Sequence, residues 1–378
     1  MQRSVLGFGV ATSTRFVGSR VLARTRTGIV DVGSLAERGL VTNGWWRSGR
    51  LDDFLAAGRT AWQQVTGELD VVEIDTNDPS RLNEDDIHLQ LPVTIGDYVD
   101  FYASEHHATN LGRMLRPGQE PLSPNWRHMP IGYHGRSGTI VVSGTPVRRP
   151  CGQRRPDPHD VQAAQPTFGP SQRLDIEVEL GYVVGVPSRQ GDPVPVTDFA
   201  EHVFGACLLN DWSARDIQAW EGQPLGPFLG KSFATSISAW LVPLHLLAPA
   251  RVPVASAVTP LLPYLQESEA SGYDITFTLA VNGDVLSRPP YATMYWSPAQ
   301  MLAHMTVNGA SIRTGDLFAS GTVSGPARDQ WGSLIELFDT DRFLADGDEV
   351  VIDATVTLGG ESPVSVGEVR GTVLPAHG

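Results

Sequence analysis

Arg173-Leu174-Asp175-Ile176-Glu177-Val178-Glu179-Leu180-Gly181-Tyr182-Val183-Val184 alternates apolar and acidic residues and then turns wholly apolar. A two-residue period belongs to a β-strand, whose side chains point to opposite faces in turn. The pattern predicts one strand with Asp175, Glu177 and Glu179 on one face and Leu174, Ile176, Val178 and Leu180 on the other. Carboxylates in such a row repel one another unless water or a cation screens them. Water would make this a solvated strand face. A cation would make it a site, because hard ions such as Mg²⁺ and Ca²⁺ gather several carboxylate oxygens.

The rest of the chain fits a sheet-rich protein. Gly 39 and Pro 28 in 378 residues imply many turns, and 41% hydrophobic residues suffice for a sizeable core. The predicted class is mainly β or α+β, in two units with a boundary near residue 92, giving 1–91 and 92–378. In the first unit, β-like runs at Val5–Ala11, Arg20–Thr25 and Gly28–Val32 precede a helical pattern from Leu51 to about Val65. The polar, acidic segment Asp75–Asp86 reads as a linker.

Charge and composition exclude some functions. A net charge of −14 argues against nucleic-acid binding and against a membrane surface. Cys151 and Cys207 make neither a disulfide framework nor a metal spacing, which fits a reduced cytoplasmic setting. The first 20 residues lack the apolar core of a signal peptide. The longest apolar stretch, Ile237 to Ala250, is too short to span a bilayer and is broken by Pro243 and His245.

Several residues stand out as candidates for chemistry. Lys231 is the single lysine among 28 lysines and arginines, in Gly230-Lys231-Ser232. It is either an accident of composition, a buried partner of one carboxylate, or a compact ammonium that a guanidinium could not replace. Asp211 follows the apolar run Val203–Leu209 and either faces a pocket from a strand end or caps a helix starting at Trp212. Asp100, in Val99-Asp100-Phe101, is a further isolated carboxylate. With no zinc-type Cys or His spacing, an oxygen-rich Mg²⁺ or Ca²⁺ site is favoured. Histidines in Glu105-His106-His107-Ala108-Thr109-Asn110 offer a general base or are incidental surface. The Gly- and hydroxyl-rich loop Leu317–Pro326, followed by Gly332–Leu337, could offer backbone N–H groups to an anion or be simply a turn.

In this order these blocks resemble the fumarylacetoacetase family: Leu91–Asp100, His107-Ala108-Thr109-Asn110, Pro124-Asn125-Trp126 through Gly152-Gln153, Asn210 through Thr235, Met294-Tyr295-Trp296, and Gly315 through Glu336. The resemblance implies an SH3-like β-barrel followed by a mixed β-roll catalytic domain, and a homodimer formed through the latter. It implies hydrolysis of the carbon–carbon bond of the diketo acid 4-fumarylacetoacetate to fumarate and acetoacetate, the last step of tyrosine and phenylalanine catabolism. By the same resemblance Asp100, Glu177, Glu179 and Asp211 hold the metal, with Lys231 and Thr235 lining it. His107 becomes the general base and Glu336 its orienting carboxylate. Arg215, Gln218 and Lys231 stabilise developing negative charge, and Tyr102, Arg116, Tyr133, Gln218 and Thr322 contact substrate. One position departs from the family pattern: Gly222 follows Trp220-Glu221 where the family carries a substrate-contacting Tyr. His106 has no role in either reading.

Two alternatives stand beside this, one a sister enzyme of the same superfold and one a protein of another class. A related hydrolase of acylpyruvates or a 2-oxo acid decarboxylase would generally lack the N-terminal unit. A non-catalytic cation-binding protein would need neither His107 nor Lys231.

Overall fold

The computed structural model describes residues 5–156, 165–254, 259–268, 271–339, 341–358 and 363–377. Strand is the dominant element, with short helices between, so the chain is mixed α+β and mostly sheet. Cys151 and Cys207 are both free, and burial pushes the Cys207 thiol up to about 12. Among the described residues no helix is long and apolar enough to cross a membrane.

The β-like runs of the first unit become the strands Val5–Ser13, Phe16–Thr25 and Gly28–Asp31 of a five-stranded antiparallel sheet. Its edges are Arg81–Leu82 and Ile87–Gln90. The first edge strand lies inside the segment expected to be a linker, and a two-residue strand carries too little periodicity to be read. The expected helix from Leu51 is two helices, Asp52–Ala56 and Arg59–Val71, because Gly58 turns the chain at φ +87°. This sheet joins the rest of the protein through reciprocal backbone hydrogen bonds between Phe8 and Leu241, 2.8 Å each way. Phe8, Phe54 and Phe204 pack together beside them, with ring centroids 5.4 to 6.2 Å apart.

The second sheet carries the chemistry. Its order is Gly132–His134, Tyr98–Phe101, Leu317–Ala319, Val178–Val184, Val203–Asp211, Thr235–Ile237 and Ile140–Val142, with Val242–Pro243 also on Val203–Asp211. Register explains the grouping of acids. Asp100 pairs with Ala319, Ala319 with Gly181, Glu179 with Leu209, and Asp211 with Thr235. Partners across a ladder share a face, as do residues two apart along a strand. Asp100, Glu179, Asp211 and Thr235 therefore project from one face at one end of the sheet.

The opening stretch departs from its prediction in continuity, and its burial decides between the two readings of its acidic face. The strand is interrupted: Leu174–Asp175 pairs with Ser213–Ala214 in a separate ladder, Glu177 makes an isolated bridge to Ser333, and the long strand begins at Val178. The acidic face is also not solvated, since Asp175, Glu177 and Glu179 are all buried. The last sheet, Asp284–Ser287, Ile275–Val281, Glu349–Val356, Val364–Leu374 and Val147–Arg148, completes the core.

Candidate active site

Asp100, Glu177, Glu179 and Asp211 each offer an oxygen within 4.8 Å of the others, and all are buried. Their hydrogen bonding is incomplete. Among the described residues both oxygens of Glu179 and Oδ1 of Asp100 have no partner. An ionised carboxylate left buried and unpaired is costly. Burial, and then the neighbouring Asp100, Glu177 and Asp211, push Glu179 well above the usual carboxylate range. Burial and Asp211 do the same to Asp100, against the pull of Lys231. This pocket either holds protons or takes a cation, and its all-carboxylate donor set suits a hard divalent ion.

Lys231 enters from the loop before Thr235. Its Nζ donates to Glu177 Oε2 and, at 2.6 Å, to Asp211 Oδ2. Burial works against its charge, but Asp211 and Glu177 outweigh it and hold the ammonium above its ordinary range. Lys231 thus pairs with two carboxylates of the cluster. Thr235 Oγ1 donates to Asp211 Oδ1 at 3.0 Å. Asp211 is the last residue of its strand, and the following helix, Arg215–Glu221, is preceded by Ala214, so Asp211 is no helix cap.

His107 faces the cluster from the helix Glu105–Leu115, whose N-terminal turn is closed by Ser104 accepting the His107 N–H. Its Nδ1 lies 2.7 Å from Glu336 Oε2, and its Nε2 3.9 Å from Glu177 Oε1. Glu336 also accepts from Asn110, Ser324 and Ser333 at 2.7 to 3.0 Å. Burial alone would raise Glu336, but His107 and these donors hold it below the usual range. His106 is half-buried on the same helix.

Arg215 is clamped on one side of the pocket. Its Nε donates to Asp175 Oδ2 at 2.8 Å, Nη2 to Glu177 Oε1 at 2.7 Å, and Nη1 to Gln218 Oε1 at 3.3 Å. Against burial, Lys231 and then Arg215 and His107 keep Glu177 below the usual carboxylate range. Tyr133 donates its hydroxyl to Asp100 Oδ2 at 2.7 Å and lies 3.2 Å from Asp211 Oδ2. With Phe228, Lys231 and Arg136 it lines a cleft of about 280 Å³. The Tyr102 ring stands edge-on to the His107 ring, centroids 5.4 Å apart. Thr322 is buried with its hydroxyl unpartnered. It follows Gly321, which sits at φ +72° where a Cβ would lie 2.1 Å from the Phe101 carbonyl, so only glycine lets the two segments pass.

Most of the expected site residues therefore converge, with two qualifications of place. Arg116 is exposed at the far end of the His107 helix and donates to the Pro121 carbonyl; its charge is felt at Tyr102. Gly222 ends the Arg215–Glu221 helix in ordinary helical conformation, with its N–H on the Gln218 carbonyl at 2.9 Å. The hydroxyl-rich loop is not an open anion cradle. The Ser320 and Val323 N–H groups bond Leu180 and Val178 carbonyls, and Ser324 serves Glu336. Asn110, Ser324 and Ser333 were missed as members of this network, and Asp175, read as part of the acidic strand face, belongs to it through Arg215 and the Leu334 and Ile335 N–H groups. Only Asn110 had a readable signal, lying one helical turn after His107.

A sheet end that gathers four buried carboxylates, with Glu179 unpartnered among the described residues, beside a histidine–glutamate pair defines a hydrolytic enzyme with a cation-accepting pocket. Comparison with known proteins agrees. The family model "Fumarylacetoacetate (FAA) hydrolase C-terminal" matches residues 98–374, and this chain belongs to that family. It is 43% identical over 354 residues to fumarylacetoacetase of Rattus norvegicus, covering 86% of this chain and 83% of the relative. It is 39% identical over 382 residues to fumarylacetoacetase of Arabidopsis thaliana, covering 92% and 89%. The solved fumarylacetoacetate hydrolase of Exiguobacterium antarcticum shares the fold, with a TM-score of 0.60 over 98% of this chain and 99% of that one, at 17% identity.

Proposed function

We propose that this protein is a divalent-metal-dependent hydrolase that cleaves 4-fumarylacetoacetate to fumarate and acetoacetate, the closing step of tyrosine and phenylalanine breakdown. The observation that carries the reading is the apposition of the His107–Glu336 pair with the carboxylate pocket, 3.9 Å from His107 Nε2 to Glu177 Oε1.

Asp100, Glu177, Glu179 and Asp211 would hold Mg²⁺ or Ca²⁺, with Thr235 and Lys231 beside it. The cation supplies Lewis acidity toward the oxygens of the β-diketone. Every other part is played by the chain. Glu336 holds His107 through Nδ1, which leaves Nε2 free to take a proton from water. That water attacks one carbonyl of the substrate. Arg215, Gln218 and Lys231 are preplaced donors for the tetrahedral oxyanion: Asp175 and Glu177 hold Arg215, Arg215 holds Gln218 Oε1, and Glu177 and Asp211 hold Lys231. Collapse of the oxyanion then breaks the carbon–carbon bond, the electron pair leaving as an enolate beside the Lys231 ammonium, and the proton held on His107 Nε2 returns to that carbon while the attacked carbonyl becomes a carboxyl group. Tyr102, Tyr133 and Thr322 supply hydroxyls around the substrate. Arg116, at the rim, grips its terminal carboxylate once freed from the Pro121 carbonyl. That local cation answers the problem of an acidic protein taking an acidic substrate.

We assign residues 1–91 to an SH3-like β domain and 92–378 to the catalytic domain. We assign the assembly to a homodimer through the second domain and the setting to the cytoplasm. Support comes from the family membership and from the separate five-stranded sheet of residues 5–90. The test is loss of the enol absorbance of fumarylacetoacetate, with fumarate and acetoacetate measured as products, before and after chelation. Turnover that vanishes with chelator and returns with Mg²⁺ or Ca²⁺ is expected. No turnover by metal-replete protein, or turnover indifferent to chelator, overturns the reading.

A further inference from the structure

Asp175 is the third acid of the alternating stretch, yet it stays out of the carboxylate pocket. It is fully buried, and both its oxygens are saturated. Oδ1 accepts the Ile176 N–H at 2.7 Å and the Leu334 N–H at 2.8 Å. Oδ2 accepts Arg215 Nε at 2.8 Å and the Ile335 N–H at 3.3 Å. The first two residues of the helix Leu334–Phe338 are thus tied to the same carboxylate as Arg215, and the next residue of that helix is Glu336.

These contacts close a ring. Asp175 holds Arg215, Arg215 holds Glu177, and Glu177 stands 3.9 Å from His107. His107 meets Glu336, and the backbone of the Glu336 helix returns to Asp175. We infer that Asp175 is a positioning residue that sets the His107–Glu336 pair and the Arg215 guanidinium in one frame, so that base and oxyanion donor keep a fixed separation. The inference rests on the proposed hydrolytic reading for its kinetic consequence, but not for its structural one.

The chemistry of the side chain makes the claim testable. Every group facing Asp175 is a donor. An asparagine has one accepting oxygen and one donating NH₂. In Asp175→Asn that NH₂ must oppose either Arg215 Nε and the Ile335 N–H or the Ile176 and Leu334 N–H groups, so one arm of the ring opens while the volume is unchanged. The experiment compares wild type, Asp175→Asn, His107→Ala and the double variant, with the metal-replete full chain. It also follows the downfield ¹H resonance of the His107 Nδ1 proton, assigned by its loss in His107→Ala.

Asp175→Asn should lower kcat roughly 10–100-fold, the range seen when an outer partner of a site is removed, with KM held within about threefold. In the His107→Ala background it should cost little more, because residues acting as a unit are non-additive. The His107 resonance should move or broaden. A full loss repeated in both backgrounds, or an unmoved resonance, overturns the inference. Should Asp175→Asn not fold, Asp175→Glu is put through the same measurements, since it keeps the charge but displaces the oxygens. Failure of both to fold makes Asp175 a stabilising group alone and overturns the inference too. Should the wild type not hydrolyse fumarylacetoacetate, the functional reading fails, and the resonance still decides the place of Asp175.

Discussion

Glu336 and Glu179 are both buried glutamates at one site, and they are held in opposite ways. Glu336 accepts from His107, Asn110, Ser324 and Ser333, and sits below the usual carboxylate range. Glu179 accepts from none of the described residues and sits well above it. The first is a finished part of the protein: its charge is compensated within the fold, and its position is over-determined. The second is unfinished, and only a ligand from outside can complete it. The His107–Glu336 side is therefore fully hydrogen-bonded within the fold, whereas burying Glu179 without a partner carries a cost.

The largest expected effect cuts this contrast directly. Glu179→Gln should abolish detectable turnover and weaken calorimetric Mg²⁺ or Ca²⁺ binding by at least the 10–100-fold typical of an outer-shell loss, while leaving the apo protein as stable as wild type or more so. Glu336→Gln should do the reverse, sparing metal affinity but lowering stability by about 1–3 kcal/mol, the cost of mispairing buried donors. If the two variants have the same profile, the division between finished and unfinished carboxylates is wrong.

The finished side has its own test. His107→Ala should lose roughly 10²–10⁴-fold in kcat, the usual contribution of a positioned base, whereas His106→Ala should stay near wild type. A more damaging His106 change would move the base by one residue. Lys231→Arg keeps the charge, but the ammonium reaches Glu177 and Asp211 together in a buried site that a planar guanidinium cannot enter in the same way. Its kcat should fall strongly with the fold intact, and near-normal turnover would make the lone lysine an accident of composition.

Stability against pH separates the two sides again. Asp100 and Glu179 have raised folded values, so their contribution is complete below the unfolded carboxyl range, about 3.9–4.3, and is lost as pH rises through the folded values. Glu336 is lowered, so its contribution is complete above that range and is lost as pH falls. Tm measured in chelator should decline as pH rises from 4 toward neutrality. Added divalent ion should remove the decline, and so, in part, should Glu179→Gln. An identical Tm–pH curve with and without metal contradicts the cation pocket.

The smallest effect concerns Gly222. A Tyr hydroxyl restored there would add about 0.5–1.5 kcal/mol, up to roughly tenfold in KM for fumarylacetoacetate, and narrow the tolerance for larger diketo acids. A Cβ would sit 2.9 Å from the Gln218 carbonyl, so the helix end must shift slightly to admit it. Unchanged KM and selectivity in a folded Gly222→Tyr variant would mean the departure has no bearing on recognition.

Much of the site was legible in the chain. Alternation placed Glu177 and Glu179 together, the apolar run before Asp211 marked a strand end, and the isolation of Lys231 singled it out. Those signals are local, because a strand's two-residue period and a residue's chemical type are properties of the chain itself. The same alternation grouped Asp175 with Glu177 and Glu179, yet the structure places it in a separate ladder and outside the carboxylate pocket. Whether a carboxylate is left open or saturated depends on donors from distant segments: Arg215, Leu334 and Ile335 for Asp175, and His107, Asn110, Ser324 and Ser333 for Glu336. The sequence by itself determined which acids could gather. Only the tertiary structure decided which of them remained unsatisfied, because hydrogen-bond satisfaction is settled by neighbours in space.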